Sequence, residues 1–153
     1  MEKIASFTIN HNTLKPGLYV SRVDGDVVTY DLRMRRPNQP PFLTNAALHT
    51  IEHLFATFAR NGKYRESVVY FGPMGCRTGC YLLLRDTVTK EEAIGLVRDT
   101  MNQIAAYEGE IPGAKAEECG NYLEHDLEGA RNEARAYAQI LENWKTENLA
   151  YEE

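Results

Sequence analysis

The chain has 153 residues, 43% of them hydrophobic, with a net charge of −5 and a pI of about 5.4. That is one domain's length with enough apolar mass for a core. Its 17 Lys and Arg residues form no basic block, which argues against nucleic acid or an anionic membrane as a partner. The opening MEKIASFTINHN has no signal-like apolar run, and no stretch is long and apolar enough to span a bilayer. Three cysteines without a secretory signal read as free thiols in a reducing cytoplasm.

Along the chain, GLYVSRVDGDVVTYDLRM (17–34) predicts two strands around a turn at Asp24-Gly25. On the second strand Val28, Tyr30, Leu32 and Met34 alternate with Val27, Thr29, Asp31 and Arg33. Three prolines in RRPNQPPF (35–42) then break regular structure. Thr44 is placed to cap a helix running to about Gly62. SVVYF (67–71) and CYLLLR (80–85) read as strands, with the glycine-punctuated loop GPMGCRTG between them. Thr89 and Glu92 form a capping-box pattern that opens a helix to about Tyr107. A loop spans 108–122, and a last helix is predicted over roughly 126–146 from the spacing of Leu127, Ala130, Ala134, Tyr137, Leu141 and Trp144. Strands interleaved with three helices, a hairpin first, predict a single α+β domain over 1–153. Its antiparallel-rich sheet would carry the helices on one side.

The motif HTIEH (49–53) stands out on the first helix. Leu48, Ile51, Leu54, Phe55 and Phe58 make the buried stripe. His49 and His53, four apart, share the opposite face, flanked by Glu52. Two imidazoles one turn apart suit a divalent transition metal, and Glu52 is placed to move protons beside it. The order H-x-x-E-H is the inverted zinc-peptidase motif. A solvated helix face is the competing reading for so short a pattern.

Two histidines leave a metal site incomplete. Cys119 of EECGNY, in a loop able to fold back, is one candidate third ligand, with His125 and Asp126 as groups that orient ligands. Cys76, in the GPMGCRTG loop beside Arg77, is a candidate acid/base or nucleophile if its thiolate is favoured. Cys80 opens a strand and fits a core position. A competing grouping gathers Cys76, Cys80 and Cys119 as structural zinc ligands, which would leave the histidine pair unexplained.

HTIEH, GPMGCRTG and CGNYLEHDLEGA, in this order and at these separations, closely resemble the LuxS family, the S-ribosylhomocysteine lyases. SFTINHN and TYDLRMRRPN resemble it too, so the likeness covers nearly the whole chain. The resemblance implies a LuxS/inverzincin-like α+β fold and a homodimer with active sites at the subunit interface. It implies one divalent metal per subunit, natively ferrous iron (Fe2+), with zinc (Zn2+) or cobalt (Co2+) as substitutes, held by His49, His53 and Cys119. Glu52 and Cys76 would be the acid/base residues, and Ser6, His11 and Arg33 the substrate contacts. Cys80 stands where the family more often has an aromatic, and Tyr70 where some members carry an acid.

The implied reaction moves a carbonyl stepwise along the ribose of S-ribosylhomocysteine through enediolates. A β-elimination then releases homocysteine and dihydroxypentanedione, the precursor of autoinducer-2. Two other functions are compatible with the motifs. One is a small peptidase with Glu52 activating a water and Glu117 or Glu118 as an acidic third ligand. The other is a non-enzymatic metal-binding dimer.

Overall fold

In the computed structural model, which describes residues 1–152, the hairpin comes first: β1 (Gly17–Asp24) pairs antiparallel with β2 (Val27–Arg33). The two-residue connection is Gly25-Asp26, one position on from the predicted turn. Gly25 takes φ +58, a backbone conformation that a side chain disfavours. The helix α1 (Asn45–Arg60) follows, then β3 (Val68–Pro73), β4 (Gly79–Arg85), α2 (Lys90–Ala106) and α3 (Leu127–Ile140). All strand pairs are antiparallel, in the order β1-β2-β4-β3. No helix among the described residues is long and apolar enough to cross a membrane.

Alternation on the strands decides where the helices lie. Val28, Tyr30 and Leu32 of β2 and Cys80, Leu82 and Leu84 of β4 point to one face and are buried against the helices, joining a single core. From α1 that core takes Leu48, Ile51, Leu54 and Phe55; the Phe55 ring stacks on Phe71 of β3 at 4.0 Å. Phe58, predicted for the stripe, lies partly buried at its margin. From α2 the core takes Ile94, Val97, Met101 and Ile104. Thr89 and Glu92 form the reciprocal capping box at the start of α2, with bonds of 3.1 and 3.0 Å. Thr44 caps α1 and Asp126 caps α3, each accepting a backbone N–H in the first turn.

The last helix is shorter than its apolar spacing predicts. α3 stops at Ile140, and the chain turns through 141–144. Leu141 stays fully buried, and the Trp144 indole N–H donates to the Leu18 carbonyl at 2.9 Å. The Trp144 ring lies so close to Gly17 that a Cβ there would meet it at 2.3 Å. Docking the indole on β1 takes precedence over two further turns of helix. Apolar spacing does not distinguish the two outcomes, because Leu141 is inward in both.

The opposite sheet face is not simply wet. Asp31 and Arg33, the presumed outer positions of β2, are 0% and 2% exposed. Their cover includes the C-terminal Tyr151, whose hydroxyl donates to Asp31 Oδ2 at 2.7 Å and whose ring stacks on Tyr19 at 4.9 Å.

Candidate active site

Helix α1 places His49 and His53 one turn apart, and their orientation is set from outside the helix. The ring Nδ1 of His49 lies 2.7 Å from the Glu124 carbonyl, and that of His53 lies 2.8 Å from the Pro112 carbonyl. A carbonyl only accepts, so both rings carry their proton on Nδ1 and leave the Nε2 lone pair free. This is the arrangement metal-binding histidines adopt. Gly113 makes the second contact possible. Its φ is +73, and a Cβ there would come within 3.0 Å of His53 Nδ1.

The 108–122 segment does fold back onto α1, through a series of turns that include Cys119 N–H bonded to the Lys115 carbonyl. Cys119 Sγ arrives 3.3 Å from His49 Nε2 and 3.8 Å from His53 Nε2. Bonds of about 2.0–2.1 Å to nitrogen and about 2.3 Å to sulfur at tetrahedral angles separate the two donors by roughly 3.5 Å, so one ion fits between them. His125 joins the group, and one donor atom from each of His49, His53, Cys119 and His125 lies within 4.8 Å of the others. The His125 ring stacks on that of His49 at 4.0 Å. Burial, then the neighbouring His49 and His53, lower its pKa to about 4, so it is neutral near pH 7. Its Nε2 is buried without a hydrogen-bond partner. Two borderline imidazole nitrogens and a thiol, with the His125 ring beside them, make a donor set that suits a divalent transition metal.

Beside this cluster is a cavity of about 350 Å³. His49 and Glu52 form one wall, and Pro73, Met74, Gly75 and Arg77, the residues to either side of Cys76, form another. Glu52 has no hydrogen bond or ion pair to another side chain among the described residues. Cys76 is exposed at the tip of its loop, with Thr78 Oγ1 3.1 Å and Arg33 Nη1 4.0 Å from its sulfur. The guanidinium beside the thiol is therefore that of Arg33. Arg77, the neighbour expected from the sequence, points toward the Leu43 carbonyl at 3.5 Å.

Arg33 is itself tightly held. Its Nε and Nη2 donate to the Asp31 carboxylate at 3.1 and 2.8 Å, and its Nη1 donates to Thr78 Oγ1 at 2.8 Å. Burial opposes its charge, but the Asp31 carboxylate outweighs that and raises its pKa further. Asp31→Asn is expected to leave this buried cation uncompensated and to lower the unfolding free energy by about 3–5 kcal/mol. Urea unfolding measures this, and an unchanged midpoint would mean the pair is dispensable.

The all-cysteine grouping does not assemble. Cys80 is fully buried in the core, where burial raises its thiol pKa far above the ordinary value, and only Cys119 among the cysteines joins the histidines. Glu117 and Glu118 are exposed and lie outside the cluster.

Comparison with known proteins agrees with this geometry. The family described as S-Ribosylhomocysteinase (LuxS) matches residues 4–148. A protein of Clostridium acetobutylicum named S-ribosylhomocysteine lyase is 52% identical over the full length of both chains. The protein of that name from Borreliella afzelii is 49% identical over 99% of each, and the one from Phocaeicola vulgatus is 47% identical over 99% of this chain and 98% of its own. The chain belongs to the LuxS family.

Of the positions the LuxS resemblance nominates, His49, His53 and Cys119 converge, Glu52 borders the cavity, and Cys76 sits in the loop that closes it. Arg33 lies behind Cys76 and offers almost no surface. Ser6 and His11 line no part of that cavity. Ser6 belongs to a short 3-10 turn, and the His11 ring bonds to the Ile9 carbonyl at 2.8 Å. Thr78 and the carbonyls of Pro112 and Glu124 were not singled out from the sequence. Thr78 reaches Arg33 across 45 residues, and the two carbonyls reach His53 and His49 across 59 and 75, so these contacts leave no local pattern.

Proposed function

We propose that the chain is a metal-dependent lyase that cleaves S-ribosylhomocysteine to homocysteine and dihydroxypentanedione, the precursor of autoinducer-2. The observation that carries this reading is the convergence of His49 Nε2, His53 Nε2 and Cys119 Sγ beside a cavity bordered by Glu52 and the Cys76 loop. These three residues would hold one divalent ion, ferrous iron natively, with zinc or cobalt able to replace it. Such an ion supplies Lewis acidity toward sugar oxygens that gain negative charge.

The protein's own groups then handle protons and position. Each carbonyl shift removes a proton from one sugar carbon and returns a proton to its neighbour. Glu52, a carboxylate free of side-chain partners, serves one side of the sugar, and Cys76 serves the other. The Arg33 guanidinium and the Thr78 hydroxyl lie beside the Cys76 sulfur during these transfers. In the last step a C–H proton is removed, the C–S bond breaks, and the sulfur leaves as homocysteine thiolate to be protonated. Ser6 and His11 grip ribose hydroxyls and fix their orientation, while Arg33, buried and engaged with Asp31 and Thr78, stands behind the Cys76 sulfur.

The protein acts as a homodimer in this reading. Ile4 and Phe7 flank Ser6 and are 57% and 68% exposed. Docking that segment on a second copy would cover them and bring Ser6 and His11 to the neighbouring chain's cavity. Three free cysteines suit a reducing, cytoplasmic setting. The peptidase alternative lacks its acidic third ligand in the cluster. Anaerobically purified, iron-loaded protein is expected to release free thiol from S-ribosylhomocysteine, read with a thiol-reactive dye. Peptide cleavage without thiol release would overturn the reading.

A further inference from the structure

Asp31 is a fully buried carboxylate with two partners. Arg33, on the same face of β2, donates Nε to its Oδ1 and Nη2 to its Oδ2. The other donor is the Tyr151 hydroxyl, 2.7 Å from Oδ2. No further group among the described residues donates to this carboxylate. Tyr19 of β1 and Tyr81 of β4 stand opposite Asp31 in the sheet, yet neither hydroxyl bonds to it. That of Tyr19 donates instead to the Lys15 carbonyl at 2.8 Å.

Two contacts hold Tyr151 over this pair. Leu149, just before it, is 2% exposed and belongs to the core, and the Tyr151 ring stacks on Tyr19 at 4.9 Å. Burial, then the Asp31 carboxylate, keep the phenol far above its ordinary pKa, so the hydroxyl carries its proton and donates. A bidentate guanidinium takes its plane from the carboxylate it grips. With Nε and Nη2 both on Asp31, the Arg33 Nη1 is left to face Thr78 Oγ1 at 2.8 Å and the Cys76 sulfur at 4.0 Å.

We propose that Tyr151 is a positioning residue: its hydroxyl fixes the Asp31 carboxylate, and through it the Arg33 guanidinium beside Cys76. It lines no part of the cavity at Glu52 and His49 and is not among the clustered donors. The chemistry served at Cys76 rests on the lyase reading; the hold on Arg33 does not.

Tyr151→Phe removes the hydroxyl and keeps the ring that stacks on Tyr19. In zinc-loaded protein labelled with 15N-arginine, the Arg33 Nε–H signal is assigned by its loss in Arg33→Lys. Exchange of that proton with solvent is expected to be about tenfold faster or more in Tyr151→Phe. An unchanged rate overturns the proposal. In iron-loaded Tyr151→Phe, thiol release from S-ribosylhomocysteine is expected to show kcat lowered roughly tenfold, KM within about twofold of wild type, and full metal content. Wild-type kcat, a loss carried by KM alone, or a loss that follows metal content would make Tyr151 a strap for stability and overturn the positioning role. If the wild-type protein releases no thiol, the lyase reading falls, while the exchange rate still decides whether Tyr151 holds the guanidinium.

Discussion

Cys119→Ala protein is expected to emerge from purification folded but without metal. The sulfur is one of the three donors proposed for the ion, and it comes from a turn-rich segment outside the core, which contains no part of residues 108–122. Removing it leaves His49 and His53 oriented as before by the Glu124 and Pro112 carbonyls. Two imidazoles alone hold a divalent ion far more weakly. If each donor carries a proportionate share of the binding free energy of a structural zinc site, the loss is on the order of 3 kcal/mol, a factor of about 100 or more. Metal analysis after dialysis against a chelator measures the loss, and circular dichroism reports the fold. Full metal content in a folded Cys119→Ala protein would remove the residue from the ligand set.

Cys76→Ala should behave in the opposite way. Metal content should stay at the wild-type level, because the thiol belongs to the loop between β3 and β4 and is not among the clustered donors. Homocysteine release should fall by about 10²–10⁴-fold, the range typical of a positioned acid/base group. The Thr78 hydroxyl and Arg33 guanidinium remain in the variant, but they face a methyl group that exchanges no proton. A thiol-release assay distinguishes the outcomes, and turnover near wild type would exclude Cys76 from the chemistry. Together the two variants separate a chain that lacks its metal from one that holds the metal and lacks a proton carrier.

Local patterns were legible in the sequence, and long-range contacts were not. The capping box at Thr89, the cap at Thr44 and the stripe through Leu48, Ile51, Leu54 and Phe55 depend on neighbours within a turn or two of helix. They appear where the spacing places them. HTIEH was legible for the same reason. Asp31 and Arg33 were not recognisable as a buried pair, because alternation identifies two faces without saying what covers the second. That cover includes Tyr151, 120 residues further on. The neighbour of Cys76 was misread in the same way. Arg77 is adjacent in sequence, yet it takes φ +60, and its guanidinium turns to Leu43 while Arg33 reaches the sulfur from the next strand pair. His125 was seen as an orienting group near Cys119. Its contact with Thr50, 75 residues away, is one that only the folded chain makes.

X-ray absorption at the metal edge of the loaded protein tests the central claim most directly. One sulfur scatterer at about 2.3 Å together with imidazole nitrogens at about 2.0–2.1 Å is the expected first shell, and the sulfur signal should vanish in Cys119→Ala. A shell of nitrogen and oxygen alone in the wild-type protein would contradict the account.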